Sequence, residues 1–309
     1  DKIPRLMRLG VHVPIAGGLD KALAWATRCG CTTIQIFSRS PRGGPAPKWP
    51  EEAIERFDRE RRRAGIEPLA IHGPYIINLA SPVPATWNQS VGLYREEYAR
   101  ATRLAADYLV THVGSHRGAG EAAGIQRVAE AMNRTLNGTE AGVMILLENT
   151  AGSGQGIGDQ FEQLAAIRDA VLANDRVGIC LDTAHLFAAG YPIQTADGLE
   201  EVIAAFDRTV GLAHLRLIHL NDSKVPFGSR VDRHWHIGKG HIGLEAFRRL
   251  VNHPALREIP FILETPKSTA RPGSRDRRAG DVEDRRNLST VRRLARSPGA
   301  RRRTRVSTG

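Results

Sequence analysis

The chain has 309 residues, 41% hydrophobic and 25% charged, which is the composition of a globular protein large enough for one α/β barrel or two smaller domains. No apolar run approaches the roughly 20 residues needed to cross a bilayer, and the first residues carry no apolar stretch of the kind an export signal needs, so neither a membrane span nor secretion is expected. The net charge of +11 is concentrated: residues 267–309 hold 14 basic and 4 acidic side chains, which leaves 30 basic against 29 acidic before them, so charge alone is weak evidence for a nucleic-acid partner.

In chain order, residues 1–6 read as a leader or cloning remnant ahead of Met7. Apolar, β-branched segments then alternate with amphipathic ones, the pattern of repeated βα units around a parallel sheet. Strands are expected at Arg8–Val13, Thr32–Phe37, Pro68–His72, Tyr108–His112, Val143–Glu148, Val177–Asp182, Leu215–Leu220 and Pro260–Glu264. Helices are expected at Leu19–Thr27, Glu51–Ala64, Trp87–Ala106, Gln126–Asn137, Phe161–Leu172, Leu199–Arg208, Leu244–Val251 and Asp281–Leu294. Eight strands each followed by a helix predict a TIM (β/α)8 barrel over residues 7–294, with residues 295–309 a basic, disordered tail. Cys29, Cys31 and Cys180 are odd in number and lack CxxC spacing, which suits buried thiols in a reducing compartment, and a cytoplasmic location is expected.

The polar residues carry the chemistry. His72, His112, Glu148, Asp182, His219 and Glu264 each fall at the C-terminal end of an expected strand, the barrel face on which active sites are built. One such residue is usually an ordinary hydrogen-bonding group, but six in the same structural position are hard to reach by accident. Three carboxylates and three imidazoles gathered at a barrel mouth without cations would face desolvation and mutual repulsion, which metal ions remove. His185, three residues after Asp182, joins Asp232 and His234, which lie two apart and so leave an extended segment on one face. Imidazole and carboxylate donors without thiolate suit zinc, manganese or iron in an open catalytic site, and nine donors suffice for three ions. The segment His219–Gly240, rich in such donors and broken by glycines and a proline, reads as a loaded loop at a strand end. The glycine-rich segment Ala151–Gly158 lacks the Gly-Lys-Ser/Thr ending of a P-loop and does not fit GxGxxG, so no nucleotide cofactor is expected.

With these residues in place the chain resembles the endonuclease IV family of apurinic/apyrimidinic endonucleases. The motifs are Gly10-Val-His-Val-Pro-Ile-Ala-Gly-Gly18, Ile71-His-Gly-Pro-Tyr-Ile-Ile-Asn-Leu-Ala-Ser-Pro82, His112-Val-Gly-Ser-His116, Leu147-Glu-Asn-Thr-Ala-Gly-Ser-Gly154, Cys180-Leu-Asp-Thr-Ala-His-Leu-Phe-Ala-Ala-Gly-Tyr191, the segment from His219 to Gly240, and Ile262-Leu-Glu-Thr-Pro266. The resemblance implies a three-zinc phosphodiesterase on a TIM barrel, manganese being admitted in one site. Its implied reaction is cleavage of duplex DNA 5′ to an abasic site, leaving a 3′-hydroxyl and a 5′-deoxyribose phosphate, in base excision repair. By motif, His72, His112 and Glu148 would hold one ion. Glu148 would bridge to a second held by Asp182, His219 and Glu264, and His185, Asp232 and His234 would hold a third. Glu148 and Glu264 are the implied catalytic carboxylates.

Tyr75, after the third strand, is the candidate for filling the gap left by an extruded sugar, and Arg42 is the nearest match to a DNA-penetrating arginine. Arg42 lies in a loop, Ser38–Trp49, that is longer and richer in Gly and Pro than the family's. Lys224, Arg230 and Arg233 are candidate phosphate contacts, solvated loop charges being the alternative; His12 and His116 sit near the mouth without matching a ligand position. A monomer acting on duplex DNA is expected. A metal-dependent sugar isomerase or epimerase shares the barrel and remains an alternative, as does a DNA-binding protein without catalysis driven by the basic tail.

Overall fold

The computed structural model describes residues 7–140, 142–267 and 281–295. Its strands are β1 (Leu9–His12), β2 (Thr33–Phe37), β3 (Leu69–His72), β4 (Tyr108–Thr111), β5 (Met144–Glu148), β6 (Val177–Asp182), β7 (Leu215–His219), β8 (Asp222–Ser223), β9 (His234–Trp235) and β10 (Phe261–Leu263). Strands β1 to β7 pair side by side in chain order, and β10 closes the ring by pairing with both β7 and β1, all in parallel register. The expected (β/α)8 barrel is the fold. Strands β8 and β9 form a separate antiparallel ladder of two residues each, inside the segment that reads as loop in the sequence.

Helices α1 (Leu19–Cys29), α2 (Glu51–Arg63), α3 (Pro84–Arg103), α4 (Glu121–Leu136), α5 (Phe161–Ala170), α6 (Thr183–Ala189), α7 (Ala196–Thr209), α8 (Leu244–Asn252) and α9 (Val282–Ala295) make up the outer layer. Each large one buries one stripe. In α9 it is Leu288, Val291 and Leu294, at the three-residue spacing of one helix face. Three helices, α3, α4 and α7, begin earlier than expected. Pro84 opens α3 in the first turn, where its missing N–H costs nothing. Helix α4 takes in Gly124, whose signal is loop-like; a Cβ there would lie 2.5 Å from Ile157 Cδ1 and 2.9 Å from His116 Cβ, so only glycine fits. The short α6 is absent from the sequence expectation because it is only two turns inserted directly after a strand. The final helix includes Ala295, one residue beyond the expected domain end; residues 1–6 and 296–309 lie outside the described residues.

The core has two parts. A large cluster lies between barrel and helices, and a small one, Ala70, Val110, Leu146, Cys180, Leu217 and Ile262, fills the barrel interior. Side chains alternate across a strand, so the residue two positions after each inward-facing one also faces inward, one layer nearer the mouth. Those six residues are His72, His112, Glu148, Asp182, His219 and Glu264. The apolar plug and the polar floor above it are thus successive layers of one barrel. Among the described residues no helix is long and apolar enough to cross a membrane, and the three cysteines are free and buried.

Candidate metal centre

Glu148 is the hub of the polar layer. It is fully buried at the end of β5, and its two oxygens face different partners. Oε2 lies 3.1 Å from His72 Nε2 and 2.9 Å from His112 Nε2, whereas Oε1 lies 2.9 Å from His219 Nδ1 and 3.5 Å from His185 Nδ1. One carboxylate therefore joins two donor groups. The first is His72, His112 and Glu148, and the second is Glu148, Asp182, His219 and Glu264, each with its donor atoms within 4.8 Å of one another.

A third group sits toward solvent. His185 Nε2 and His234 Nε2 approach to 3.3 Å, and the Asp232 carboxylate lies 3.3 Å from each through different oxygens. Asp182 Oδ2 also comes within 3.4 Å of His234 Nε2, and the donors that converge most closely here are Asp182, His185 and His234, with the half-exposed Asp232 alongside them. Asp232 is half exposed and His112 and His234 are partly so, which leaves this side of the centre open to a substrate. The structure thus brings all nine donors from distant positions to one mouth.

Charge explains why these groups tolerate burial. Burial alone would raise the Glu148 carboxyl, but His112 and His219 hold it well below the usual range. The His185 imidazole, pulled down by burial, is carried up to about 10 by Asp182 and Asp232. Asp232, opposed by its own partial burial, is held at about 2 through His185 and His234. The carboxylates are thus anionic and need positive charge, from protons on the imidazoles or from cations. Ring nitrogens from separate elements converging on shared oxygens, with no thiolate among them, form a donor set suited to borderline divalent metals.

Local structure aims these donors. Asp182 caps α6, accepting from the backbone N–H of His185 at 2.8 Å, and its other oxygen accepts from Asn221 Nδ2 at 2.6 Å. Asn149 Oδ1 accepts from the Asp182 backbone N–H at 2.6 Å, and the Asn149 backbone carbonyl accepts from His185 Nδ1 at 2.9 Å, leaving Nε2 for the third group. His72 Nδ1 donates to the Gly73 carbonyl at 2.7 Å, which likewise leaves Nε2 for the first group. Asn149 and Asn221 were not singled out from sequence; each lies within two residues of a donor, Glu148 and His219, which is the signal that could have found them.

The loop bearing Asp232 and His234 is tied down by Asp222, a fully buried carboxylate accepting from the backbone N–H groups of Gly238, Gly240 and Ile242 at 2.8 to 3.0 Å. Gly240 passes so close that a Cβ would lie 2.2 Å from the Ser223 carbonyl. Hydrogen bonds to a charged acceptor contribute about 1.5 to 3 kcal/mol each. Asp222→Ala is expected to destabilise the fold by about 3 kcal/mol or more in denaturant unfolding, and to loosen the third donor group more than the other two.

Comparison with known proteins identifies the arrangement. A family model described as a xylose isomerase-like TIM barrel matches residues 23–288. A probable endonuclease 4 of Halothermothrix orenii is 45% identical over 265 residues, spanning 86% of this chain and 95% of that protein. One from Chloroflexus aurantiacus is 44% identical over 289 residues, 93% of this chain and 98% of its own. The chain belongs to the endonuclease IV family. The crystal structure of endonuclease IV from Thermus thermophilus superposes with a TM-score of 0.79 at 36% identity, covering 93% of this chain and 98% of that one. A D-tagatose 3-epimerase-like protein, 18% identical at a TM-score of 0.67, shares the barrel alone.

The barrel carries the remaining candidates on its rim. Tyr75 is 62% exposed, with its ring 5.6 Å from that of His72 and 6.2 Å from that of His112, so it stands over the first group. Its backbone N–H donates to the Pro41 carbonyl at 3.1 Å, which places Arg42, also exposed, beside it. The long Ser38–Trp49 loop is pinned on α3: Arg39 is buried against Glu97, and Arg100 donates to the Ser38 and Pro47 carbonyls and stacks on Trp49. Lys224 lies over the Trp235 ring at 4.4 Å. Arg233 is exposed and donates to the Asp232 carbonyl, while Arg230 is engaged by Asp159 at 3.2 Å and by the Gly152 carbonyl. His116 accepts from the Gly120 N–H and serves its loop. His12 lies in the polar layer itself, with Nδ1 3.3 Å from Glu264 Oε1, and burial lowers it to about 4, so it is neutral.

Proposed function

We propose that the protein is a zinc-dependent DNA repair endonuclease that hydrolyses the phosphodiester 5′ to an abasic site in duplex DNA. The products are a 3′-hydroxyl and a 5′-deoxyribose phosphate, and the enzyme acts as a cytoplasmic monomer in base excision repair. The observation that carries this reading is the Glu148 carboxylate joining two buried donor groups beside a third, in a chain at 44 to 45% identity with probable endonucleases 4. The three groups fit three zinc ions, with manganese admitted in one. Ions held by these residues would supply an acidified water and positive charge for an in-line displacement at phosphorus.

The chain's own part is to hold and exclude. Glu148 and Glu264, as the catalytic carboxylates, present fixed negative charge at the centre of the site. The pleat sets their position, so little reorganisation is needed when the phosphate arrives. Asp232 and His234, on the open side, would help hold the third ion where a substrate approaches. Tyr75 covers the donors on one side, with Arg42 beside it; Lys224 and Arg233 offer positive charge to flanking phosphates, which position a duplex without reading its sequence. Arg230 is the weakest of these candidates because Asp159 already engages it.

Incubation with duplex oligonucleotide carrying one abasic analogue is expected to give a single nick whose 3′ end a polymerase can extend. Absence of cleavage by fully metal-loaded protein would overturn the reading. The sugar isomerase or epimerase alternative rests on the barrel alone and requires only one or two ions, so three ions per chain by elemental analysis would count against it. Tyr75→Ala is expected to lower kcat/KM on abasic duplex roughly tenfold, since stacking an aromatic ring on a base is worth about 1 to 3 kcal/mol, with metal content unchanged.

A further inference from the structure

Six of the eight barrel strands deliver a donor to the polar layer, and β1 and β2 do not. At the equivalent inward positions they carry His12 and Gln35, directly opposite each other in the register between the two strands. Gln35 is fully buried, and its amide is fully engaged. Oε1 accepts from His219 Nε2 at 2.8 Å, while Nε2 donates to Glu264 Oε1 at 2.5 Å and lies 2.9 Å from His12 Nδ1.

The orientation of this amide follows from chemistry. An ionised carboxylate only accepts hydrogen bonds, so the amide nitrogen must face Glu264 and the amide oxygen must face His219. Oxygen accepts only, so His219 carries its proton on Nε2. In the neutral ring the lone pair then falls on Nδ1, the nitrogen lying 2.9 Å from Glu148 Oε1 and 3.3 Å from Glu264 Oε2, so the proton that a cation would replace is the one on Nδ1. On Glu264 the same amide engages Oε1, leaving Oε2 to face the donor group. One side chain therefore sets the tautomer of one member and the free oxygen of another, both in the group Glu148, Asp182, His219 and Glu264.

We propose that Gln35 is a positioning residue of the second donor group, fixing His219 and Glu264 as single-atom donors for a divalent cation. The inference rests on the metal-dependent reading above, and it assigns to β2 a role that no ligand motif marks. Outer hydrogen-bond partners of metal ligands typically change metal affinity by about 10 to 100-fold.

The test uses the full-length metal-loaded protein. Gln35→Leu removes both hydrogen bonds at similar size, and Gln35→Glu keeps an acceptor for His219 while removing the donor to Glu264. Zinc release into a chelator is followed with a chromophoric zinc indicator, alongside metal per chain and thermal unfolding. The expected result is that one ion per chain leaves about 10 to 100-fold faster from Gln35→Leu than from the parent. Gln35→Glu should also release that ion faster, and in both variants the other ions should leave at the parental rate. Release within twofold of the parent in folded Gln35→Leu overturns the proposal. If Gln35→Leu does not fold, the same limit applied to Gln35→Glu decides. A uniform loss of all ions in step with a lowered melting temperature would mark a merely structural residue and also overturn it. A parent protein that binds no zinc at all would instead sink the functional reading, so the two failures are distinguishable.

Discussion

Glu148→Gln is expected to abolish abasic-site incision, with kcat falling at least about a thousandfold and metal content falling with it. The side chain keeps its shape but loses its charge, and four imidazole nitrogens from β3, the loop after β4, α6 and β7 face that charge within 3.5 Å. A thousandfold loss corresponds to about 4 kcal/mol at the transition state, within the several kcal/mol that metal-centred charge stabilisation contributes. The amide also turns an N–H₂ toward ring nitrogens that already carry protons or bind cations, so both donor groups that share Glu148 are weakened together. Rates on abasic duplex, with metal measured on the same sample, check the expectation. Retention of more than a tenth of the parental rate with full metal would show that Glu148 is not the hub of the reaction.

Stripping the metal is expected to cost stability as well as activity. A ligand at a thousand times its dissociation constant stabilises the folded state by about 4 kcal/mol per site, and in a chain of this size that corresponds to roughly 6 °C of melting temperature. In the stripped protein the imidazoles must carry the positive charge. Burial opposes this for His72 and His185, but Glu148 raises the first, and Asp182 with Asp232 raises the second to about 10. A histidine raised in the folded state contributes stability that is complete below its unfolded value near 6.5 and is lost as pH climbs through the folded value. Glu148 and Glu264, held low by their imidazole neighbours against burial, contribute stability present above the ordinary carboxylate range and lost as pH falls below it. The stripped protein should therefore melt highest at mildly acidic pH and lose stability between about pH 6.5 and 10, whereas the loaded protein should be flatter there. Calorimetry of both forms at about pH 6 and about pH 9, on either side of most of that loss, measures this. A stripped protein more stable at the alkaline end than at the acidic one would contradict the charge assignment.

Every barrel strand was legible because an interior strand must be apolar over a few consecutive residues, and in six of the eight a donor at the strand's end also stands out against that run. The six strand-borne donors could be picked for the same reason, and the alternation of the pleat placed them in one layer without any distance being known. His185, Asp232 and His234 came from local spacing with the donors already found. Short elements were not legible: α6 is one insertion after β6, and β8 and β9 are two residues each, too short for any period to show.

The sequence by itself determined the barrel, the mouth and which nine residues meet there, because these depend on local periodicity and on residue type. Only the tertiary structure decided how the donors are shared: that Glu148 divides its oxygens between two groups, that Asp182 leans toward the third, and that Asp222 ties down the loop carrying Asp232 and His234. It also decided that Gln35, an ordinary polar residue in an apolar strand, meets His219 across 184 positions of sequence. Those pairings are set by the closure of the sheet, which brings β2 within reach of β7 across the barrel interior, and distances across a closed barrel leave no trace in the order of residues along the chain.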